Sequence, residues 1–238
     1  QKSTEHYETN CPSFKNFFKN INGEVLFIVC GAGKIANAAL RVLEAVKHCN
    51  IEIMYIAPDL DLLGHASATQ NKIVYNILQQ YARSGLFGKI YIVENSLVQD
   101  ISGNVPIANY YDILNNTIAS TFHMMNVFRF SKPIIDTFSQ EIESCRISTI
   151  GIFDDEKDEE KLFFPLENVR ELVYYYGIPR KKLEEDGQLF RKITEQIKEK
   201  SNTKENEFVQ RKATFGIYQT DYEQNLNFVI ANTSFIQN

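Results

Sequence analysis

Residues 31–34, with the sequence GAGK, form a turn that could bind a phosphate group. They follow the apolar run Glu24–Cys30 and precede a segment with helical periodicity. Backbone N–H groups at the start of a helix attract anions, and glycine lets a phosphate approach the backbone closely. A Walker P-loop is excluded, because Ile28 stands where that motif requires glycine and Ile35 where it requires serine or threonine. A tight turn that binds no ligand remains an alternative.

The same turn also fits the Rossmann dinucleotide-binding motif. The sequence GAGKIA matches GxGxxA at Gly31, Gly33 and Ala36. A Rossmann site needs an acidic residue about 20 residues further on, at the end of the second strand. The candidate is Asp59, which follows Pro58 and lies several residues late. A dinucleotide-binding enzyme therefore stays open as an alternative.

Alternating strand and helix patterns around this turn predict an α/β fold with a parallel, Rossmann-like nucleotide-binding sheet. The predicted strands are Glu24–Cys30, Ile51–Ala57 and Lys89–Val93. The first strand is apolar throughout, which is typical of a strand buried on both faces. In the predicted helix Ala66–Tyr81, the residues expected to face the core are Ile73, Ile77 and Leu78.

A long helix is predicted over Ile107–Phe128. Its apolar residues recur every three or four positions and form one face; they are Ile107, Tyr111, Leu114, Ile118, Phe122 and Met125. Tyr111 and Asn115 are four residues apart, so both side chains project from the same side of the helix. The apolar residues on the other side indicate that much of the circumference is buried; they are Ala108, Ala119 and Met124.

After Pro133 the pattern changes, and a smaller α+β domain is predicted. Its elements are the strand Arg146–Phe153, the helices Leu166–Tyr176 and Lys181–Lys200, and a terminal hairpin of Ala213–Gln219 and Leu226–Asn232. The acidic run Asp154–Glu160 is interpreted as a solvated loop, the alternative being a site for a cation or a basic partner. The predicted division is a partial nucleotide-binding domain over 1–104, the central helix over 105–130 and the α+β domain over 131–238.

Composition narrows the class of protein. The formal net charge of the 238 residues is −5, which argues against nucleic acid as the main partner. The longest apolar run, Val25–Cys30, is too short to span a bilayer, and the polar N-terminus lacks the features of a secretory signal. The 4 cysteines and 4 histidines show no metal-ligand spacing. We therefore expect a cytoplasmic protein with no membrane contact and no metal site.

Several short motifs occur in the order found in the tubulin/FtsZ superfamily, and the chain resembles a divergent member of it. Residues 93–97 (VENSL) resemble the DNEAL that ends a tubulin strand, and residues 110–115 (YYDILN) resemble the TYGDLN that opens the central helix of tubulin. Pro58, Asn71 and the pair 129–130 (RF) resemble further family positions. The resemblance covers roughly residues 10–140. Such divergence suits a phage or plasmid member.

This resemblance implies a guanine-nucleotide pocket at the interface between stacked subunits. The pocket residues would be Gly31, Ala32, Gly33, Lys34, Asn95, Tyr111 and Asn115. Tyr111 would stack on the base, unless it is simply a core residue, and the amides of Asn95 and Asn115 would hydrogen-bond the edge of the base. The cofactor would be GTP or GDP, with or without Mg²⁺, or the pocket would be empty.

The resemblance also implies that an acidic residue after the central helix acts on the nucleotide of the next subunit. Asp136 is the nearest acid, but the Asn-x-Asp pattern of the family is absent, and Asp136 could instead cap a helix over the following residues. Ala32 stands where the family has threonine, and Ile35 where it has glycine. We therefore expect head-to-tail self-association into oligomers or filaments with slow or absent GTP hydrolysis, the alternative being a non-hydrolysing scaffold.

The family fold implies further strands before Glu24, beginning with a strand and a glycine-rich loop. Without them, the strand Glu24–Cys30 would expose unpaired backbone groups at a sheet edge. We expect the native protein to carry more N-terminal sequence.

Overall fold

The computed structural model describes residues 10, 13–33, 36–59, 63–202 and 211–238. Lys34 and Ile35 of the predicted phosphate turn lie outside these ranges. The chain forms two compact units, Gln1–Tyr91 and Ile92–Asn238, and the boundary between them falls within a strand. The predicted division at residues 104 and 130 stays a prediction.

The N-terminal unit consists of strands that alternate with helices. Its elements are α1 (Lys15–Phe18), β1 (Glu24–Cys30), a 3₁₀ turn (Ala36–Ala38), α2 (Ala39–Ala45), β2 (Asn50–Ala57), α3 (His65–Arg83) and the first residues of β3 (Lys89–Glu94). β1 pairs with β2 in parallel, with Val25 opposite Ile51. The strand order is β1-β2-β3. The predicted strands are thus present and alternate with helices.

Two predictions about burial in this unit are wrong. β1 is the outermost described strand, and 57% of the Ile28 side chain is exposed, so β1 is not buried on both faces. In α3, Ile73 is 55% exposed, whereas Val74 and Leu78 are buried. The buried stripe of α3 is centred on positions 71, 74, 75, 78, 79 and 82 and includes the polar Asn71 and Gln79. A pattern built from apolar residues alone misses such buried amides.

The C-terminal unit continues from β3 into a long helix and a mixed sheet. Its elements are α4 (Asn95–Ser102), a 3₁₀ turn (Ile107–Asn109), α5 (Tyr110–Arg129), β4 (Ile135–Asp136), β5 (Ile147–Asp154), β6 (Glu159–Leu162), β7 (Glu171–Pro179), α6 (Arg180–Glu185), α7 (Leu189–Asn202), β8 (Lys212–Thr220) and β9 (Leu226–Thr233). The strand order is β5-β9-β7-β8-β4, and β6 pairs with β5. The predicted α/β fold class, with its long helix and α+β C-terminal part, is confirmed.

Strand β7 replaces the helix predicted over Leu166–Tyr176. It lies between β8, to which it is parallel, and β9, to which it is antiparallel. Because β7 is central and covered on both faces, its residues 171–178 are all buried. Aromatic and β-branched side chains such as Val173 and Tyr175 suit this position. β8 and β9 are therefore separated by β7 and do not form the predicted hairpin.

The crossover from β7 to β8 consists of two helices. The single helix predicted over Lys181–Lys200 is interrupted between α6 and α7, where Asp186 and Gly187 lie. The Asp186 Oδ1 atom accepts a hydrogen bond of 3.0 Å from the Gln188 backbone N–H. An aspartate that binds the backbone two residues ahead competes with helical hydrogen bonding. This local turn separates the two helices.

A buried carboxylate connects β7 to both neighbouring strands. Glu171 is 1% exposed, and its Oε1 atom accepts a 2.8 Å hydrogen bond from Lys212 Nζ on β8. Its Oε2 atom accepts a 2.9 Å bond from Asn232 Nδ2 on β9, and Ser148 Oγ on β5 donates to Asn232 Oδ1 at 2.7 Å. A buried charge is stable only when it is paired and hydrogen-bonded, and this network meets that condition.

We expect Lys212→Met to lower the free energy of unfolding by about 3–5 kcal/mol, because it leaves the Glu171 carboxylate buried without its cation. Lys198→Met on the exposed face of α7 is the matched control and should change stability by less than about 0.5 kcal/mol. Urea denaturation followed by circular dichroism measures both. Equal midpoints for the two variants would contradict the role given to the ion pair.

Candidate functional site

The first turns of α5 present Tyr111 and Asn115 to solvent. The helix buries one stripe, which consists of Leu114, Ile118, Thr121, Phe122, Met125 and Phe128. Tyr111 lies outside this stripe and is 67% exposed, and Asn115 is also exposed. The interpretation of Tyr111 as a core residue is therefore wrong. So is the expectation that much of the helix circumference is buried, because Ala108 and Ala119 are exposed.

The neighbouring Tyr110 supports the ring of Tyr111. The two ring centroids are 5.2 Å apart with an interplanar angle of 86°, an edge-to-face arrangement that aromatic pairs favour. The Tyr110 hydroxyl donates a 2.8 Å hydrogen bond to Gln99 Oε1 on α4. Tyr110 is thus held against α4, while Tyr111 keeps an accessible ring. An exposed aromatic ring can stack on a planar ligand.

Asn95 is the first residue of α4 and follows directly on β3. The side chain is half-buried. The preceding Glu94 donates its backbone N–H to Phe163 O at 2.7 Å, and its carboxylate accepts a hydrogen bond from the Ser96 hydroxyl. Asn95 therefore lies at the carboxyl end of β3, where ligands bind in open α/β sheets. Asn95, Tyr111 and Asn115 all belong to the C-terminal unit.

The two helices that carry these residues are packed together. Ser102 Oγ on α4 lies 3.2 Å from Thr117 Oγ1 on α5, so one hydroxyl can donate to the other. The hydroxyl that accepts this bond can donate to a backbone carbonyl of its own helix, which is Val98 O or Ile113 O. This contact brings the C-terminal end of α4 against the second turn of α5. The three candidate base-binding residues are thus carried by elements that are in direct contact.

In the glycine turn of the N-terminal unit, the backbone amides of both glycines donate hydrogen bonds to backbone carbonyls. The Gly31 N–H donates to Ile56 O at 3.0 Å, and the Gly33 N–H donates to Cys30 O at 3.0 Å. A 3₁₀ turn follows, and the α-helix begins only at Ala39. Ala32 is half-buried. The Gly31 and Gly33 amides are therefore already occupied by backbone acceptors.

Gly31 also has a packing role. A Cβ atom at this position would overlap the Tyr55 hydroxyl and the Asn71 side-chain oxygen, which are hydrogen-bonded to each other. Burial, with a smaller contribution from nearby Cys30, raises the pKa of Tyr55 above its ordinary value, so this hydroxyl remains a donor. Close packing against the Tyr55–Asn71 pair explains a glycine here without any ligand.

Asp136 lies in the short strand β4, opposite Gly216 of β8. Its side chain is exposed, and its Oδ1 atom accepts a 3.2 Å hydrogen bond from the Phe138 N–H. No helix follows at residues 137–140, so the alternative role as a helix cap is wrong. Burial, with a smaller contribution from the Asp136 charge, raises the pKa of Tyr218 to about 12. The structure therefore leaves Asp136 as an exposed carboxylate.

Two open clefts occur elsewhere in the C-terminal unit, and neither is lined by Asn95, Tyr111 or Asn115. One, of about 950 Å³, surrounds Asp155, and the other, of about 630 Å³, lies between the C-terminal half of α5 and the end of β8. In the described ranges, no group of three or more His, Cys, Asp or Glu residues could hold a metal ion. No helix among the described residues is long and apolar enough to cross a membrane.

Comparison with known proteins identifies the fold. No protein-family model and no curated protein matches the sequence. Among solved structures, a GTPγS-form protofilament of TubZ from Bacillus thuringiensis serovar israelensis superposes with a TM-score of 0.64 at 13% identity, over 96% of this chain and 69% of TubZ. The chain has the tubulin/FtsZ fold.

Two further structures agree with this tubulin/FtsZ assignment. CetZ from Methanosaeta thermophila superposes with a TM-score of 0.65 at 13% identity, over 98% of this chain and 68% of CetZ. An empty FtsZ dimer from M. jannaschii superposes with a TM-score of 0.63 at 12% identity, over 98% of this chain and 68% of FtsZ. Other TubZ structures are covered over 58% and 63% of their length. The chain thus corresponds to about two thirds of a tubulin-like protein.

We expect Gly31→Ala to destabilise the N-terminal unit by about 1–3 kcal/mol, because overpacking displaces Tyr55 and Asn71. Gly64→Ala is the matched control, since a Cβ atom there meets nothing within 4 Å. Thermal unfolding without nucleotide measures both variants. Equal melting temperatures for Gly31→Ala and the wild type would show that the turn can accommodate a Cβ atom at position 31. The packing explanation for this glycine would then be wrong.

Proposed function

We propose that this chain is a tubulin/FtsZ-like self-assembling protein that binds a guanine base through Tyr111, Asn115 and Asn95. The observation that carries the proposal is the exposure of Tyr111 and Asn115 on one side of α5, in a chain with the tubulin/FtsZ fold. Tyr111 lies outside the buried stripe of α5, so its ring contributes little to the packing of the core. A ligand that covers this ring explains its presence.

Base recognition would divide between stacking and hydrogen bonding. The Tyr111 ring is exposed and offers a flat apolar surface to a purine. Asn115 lies one turn further along α5, and its amide offers both a donor and an acceptor to the edge of guanine. The half-buried Asn95 at the end of β3 would supply a second amide. Two amides can match the alternating donors and acceptors of guanine.

Phosphate binding has less structural support than base binding. Gly31, Ala32, Gly33 and Lys34 remain the predicted phosphate residues, but the Gly31 and Gly33 amides already donate to backbone oxygens. Phosphate would have to compete for them or use the Ala32 N–H. Mg²⁺, when bound, would neutralise phosphate charge and take its ligands from phosphate oxygens and water. We therefore expect the base to supply more of the affinity than the phosphates do.

Hydrolysis would depend on Asp136. An exposed carboxylate on a strand can reach a neighbouring subunit, where it could orient or deprotonate an attacking water. Asp136 acts without the second residue of the Asn-x-Asp pattern, and a positioning error of about 1 Å can lower a rate 100-fold. We propose that GTP hydrolysis is slow or lost.

Self-association is supported by the similar structures, which include a TubZ protofilament and an FtsZ dimer. We propose that the contact between copies is head-to-tail. A contact that repeats the same two surfaces produces an open filament unless its rotation closes a ring. The occupied amides of the glycine turn favour one further candidate, a scaffold that assembles without turning over nucleotide.

The Rossmann dinucleotide alternative loses its support. A Rossmann site needs an acidic residue at the end of the second strand. Strand β2 ends at Ala57, and the candidate Asp59 lies beyond it and is exposed. The three solved structures compared with the chain above are of tubulin-like proteins.

Asn115→Ala should weaken GDP binding by about 1–3 kcal/mol, which corresponds to roughly 5- to 150-fold, because it leaves polar groups of the base unsatisfied. Asn116→Ala is the control, since it removes the same group from the next exposed position of α5. Tyr111→Ala should also weaken binding, with little loss of stability because its ring is exposed. Isothermal titration calorimetry with GDP measures all three. Similar affinities for Asn115→Ala and Asn116→Ala would remove the guanine assignment.

A second experiment measures self-assembly and GTP hydrolysis side by side, and we expect the first without the second. We expect light scattering to rise with protein concentration in the presence of GTP, while phosphate release stays slow. Asp136→Asn should leave scattering unchanged and abolish any residual release, and Asp221→Asn in the β8–β9 connection is the control for charge. Fast phosphate release that Asp136→Asn abolishes would overturn the proposal that GTP hydrolysis is slow or lost. A chain that stays monomeric at every concentration would overturn self-assembly.

A further inference from the structure

The segment that connects α1 to β1 contains the dipeptide Asn22-Gly23. Asn22 is the only asparagine in the sequence that is followed by glycine. The dipeptide belongs to the N-terminal unit and includes none of the residues assigned to the proposed nucleotide site. Asparagine is one of the chemically labile side chains of proteins, and its stability depends on the residue that follows it.

The backbone of this segment explains the glycine. Gly23 has a φ of 89°, a left-handed conformation that strains residues with a side chain. The Gly23 carbonyl accepts a 2.9 Å hydrogen bond from the Asn50 N–H, and the pairing of β1 with β2 begins at the next residue, where Glu24 lies opposite Asn50. The turn into β1 therefore needs glycine at position 23 but does not need asparagine at position 22.

The backbone nitrogen of Gly23 is free to react. Its N–H has no hydrogen-bond acceptor among the residues that the structure describes. A Cβ atom at this position would meet nothing within 4 Å, so neighbouring groups leave space around the residue. Neither a hydrogen bond nor close packing therefore protects this nitrogen.

The Asn22 side chain is held as loosely as the nitrogen beside it. It is exposed, and its Nδ2 atom lies 3.4 Å from Asn20 O, beyond the usual range of an N–H···O hydrogen bond. The side chain can therefore rotate and bring its Cγ atom to the Gly23 nitrogen. Bond formation between these two atoms closes a five-membered ring, and no side chain at position 23 obstructs it.

We propose that Asn22 is a site of spontaneous deamidation. The Gly23 nitrogen loses its proton to solvent and attacks Asn22 Cγ; the Cγ–Nδ2 bond breaks, and Nδ2 takes up a proton and leaves as ammonia. Water then adds to either carbonyl carbon of the resulting succinimide and breaks its bond to the Gly23 nitrogen. The product is aspartate or isoaspartate at position 22. Water is the co-reactant, and no group is oxidised or reduced.

The modification would alter the start of β1. In isoaspartate the main chain runs through Cβ and Cγ, which inserts an additional carbon atom directly before Gly23. The Gly23 carbonyl would then be displaced from the Asn50 N–H that it binds. Since β1 is the outermost described strand, its first pairing with β2 has no further described strand to support it. The site thus acts as a slow, irreversible modification of the N-terminal unit.

Mass spectrometry of the full chain, aged at physiological temperature in mildly alkaline buffer, tests the chemistry. Trypsin releases residues 20–34 as one peptide, between the cleavage sites at Lys19 and Lys34, and fragment ions separate Asn20 from Asn22. Asn20 is also exposed but precedes Ile21, whose branched side chain obstructs ring closure, so it is an internal control. We expect the deamidated fraction to rise steadily at Asn22 and to stay at background at Asn20. Equal fractions at the two positions would overturn the proposal.

Asn22→Gln separates this reaction from other damage, because glutamine keeps the amide but would have to close a less favourable six-membered ring. We expect the variant to lose deamidation at position 22. Aged wild type should melt about 2–4 °C below fresh protein, the shift expected for one lost hydrogen bond in a chain of this length. Aged and fresh Asn22→Gln should melt together. An equal shift in both proteins, or a deamidated wild type with an unchanged melting temperature, would overturn the effect on β1.

Discussion

The carboxylate of Glu171 is the constraint on which the C-terminal sheet depends. It lies at the start of β7 and binds Lys212 on one neighbouring strand and Asn232 on the other. Because one buried charge is satisfied from both sides, β7 can hold only one register against β8 and β9. A slip of one residue would leave the charge unpaired and turn every side chain of the strand to the opposite face.

Helix α5 is buried on one side only, and this determines which of its residues are available to bind a ligand. Its stripe from Leu114 to Phe128 supplies the core, and Phe128 stacks on Tyr218 of β8 with ring centroids 4.8 Å apart. Tyr111 and Asn115 lie outside this stripe and are exposed, so neither side chain belongs to the core. In the N-terminal unit, by contrast, close packing of Gly31 against Tyr55 and Asn71 is enough to explain the glycine. Its presence therefore does not require a phosphate ligand. The proposed base-binding residues and the predicted phosphate residues therefore differ in how far the structure supports them.

Much of the fold could be predicted from the sequence where periodicity was unambiguous. β1 has the predicted bounds, and the long helix was found within a few residues of its observed ends. β7 could not be found this way, because its run of buried apolar residues has no alternation and is as compatible with a helix as with a strand. The separation of β8 and β9 depends on contacts distant in sequence, which local patterns do not contain.

For the site, family-like motifs predicted the chemistry of Tyr111, Asn115 and Asn95, but periodicity assigned the wrong environment to Tyr111. An aromatic residue in phase with an apolar stripe is indistinguishable from a core residue until its neighbours are known. Nothing in the sequence indicated that Asp155 is buried, because it lies in a run of charged residues, and such runs normally remain solvated. Its burial depends on Asn225 and Asn227, which are 70 and 72 residues away in the chain.

The exposed ring of Tyr111 has a practical consequence for optical work. The chain has 12 tyrosines and 0 tryptophans, so tyrosine fluorescence is not quenched by energy transfer to tryptophan. Buried rings such as Tyr174 and Tyr176 are shielded from solutes by the core. A purine lying on Tyr111 would quench the emission of that ring while leaving the shielded ones bright. The unlabelled protein thus carries its own fluorescent reporter at the position where the base is proposed to bind.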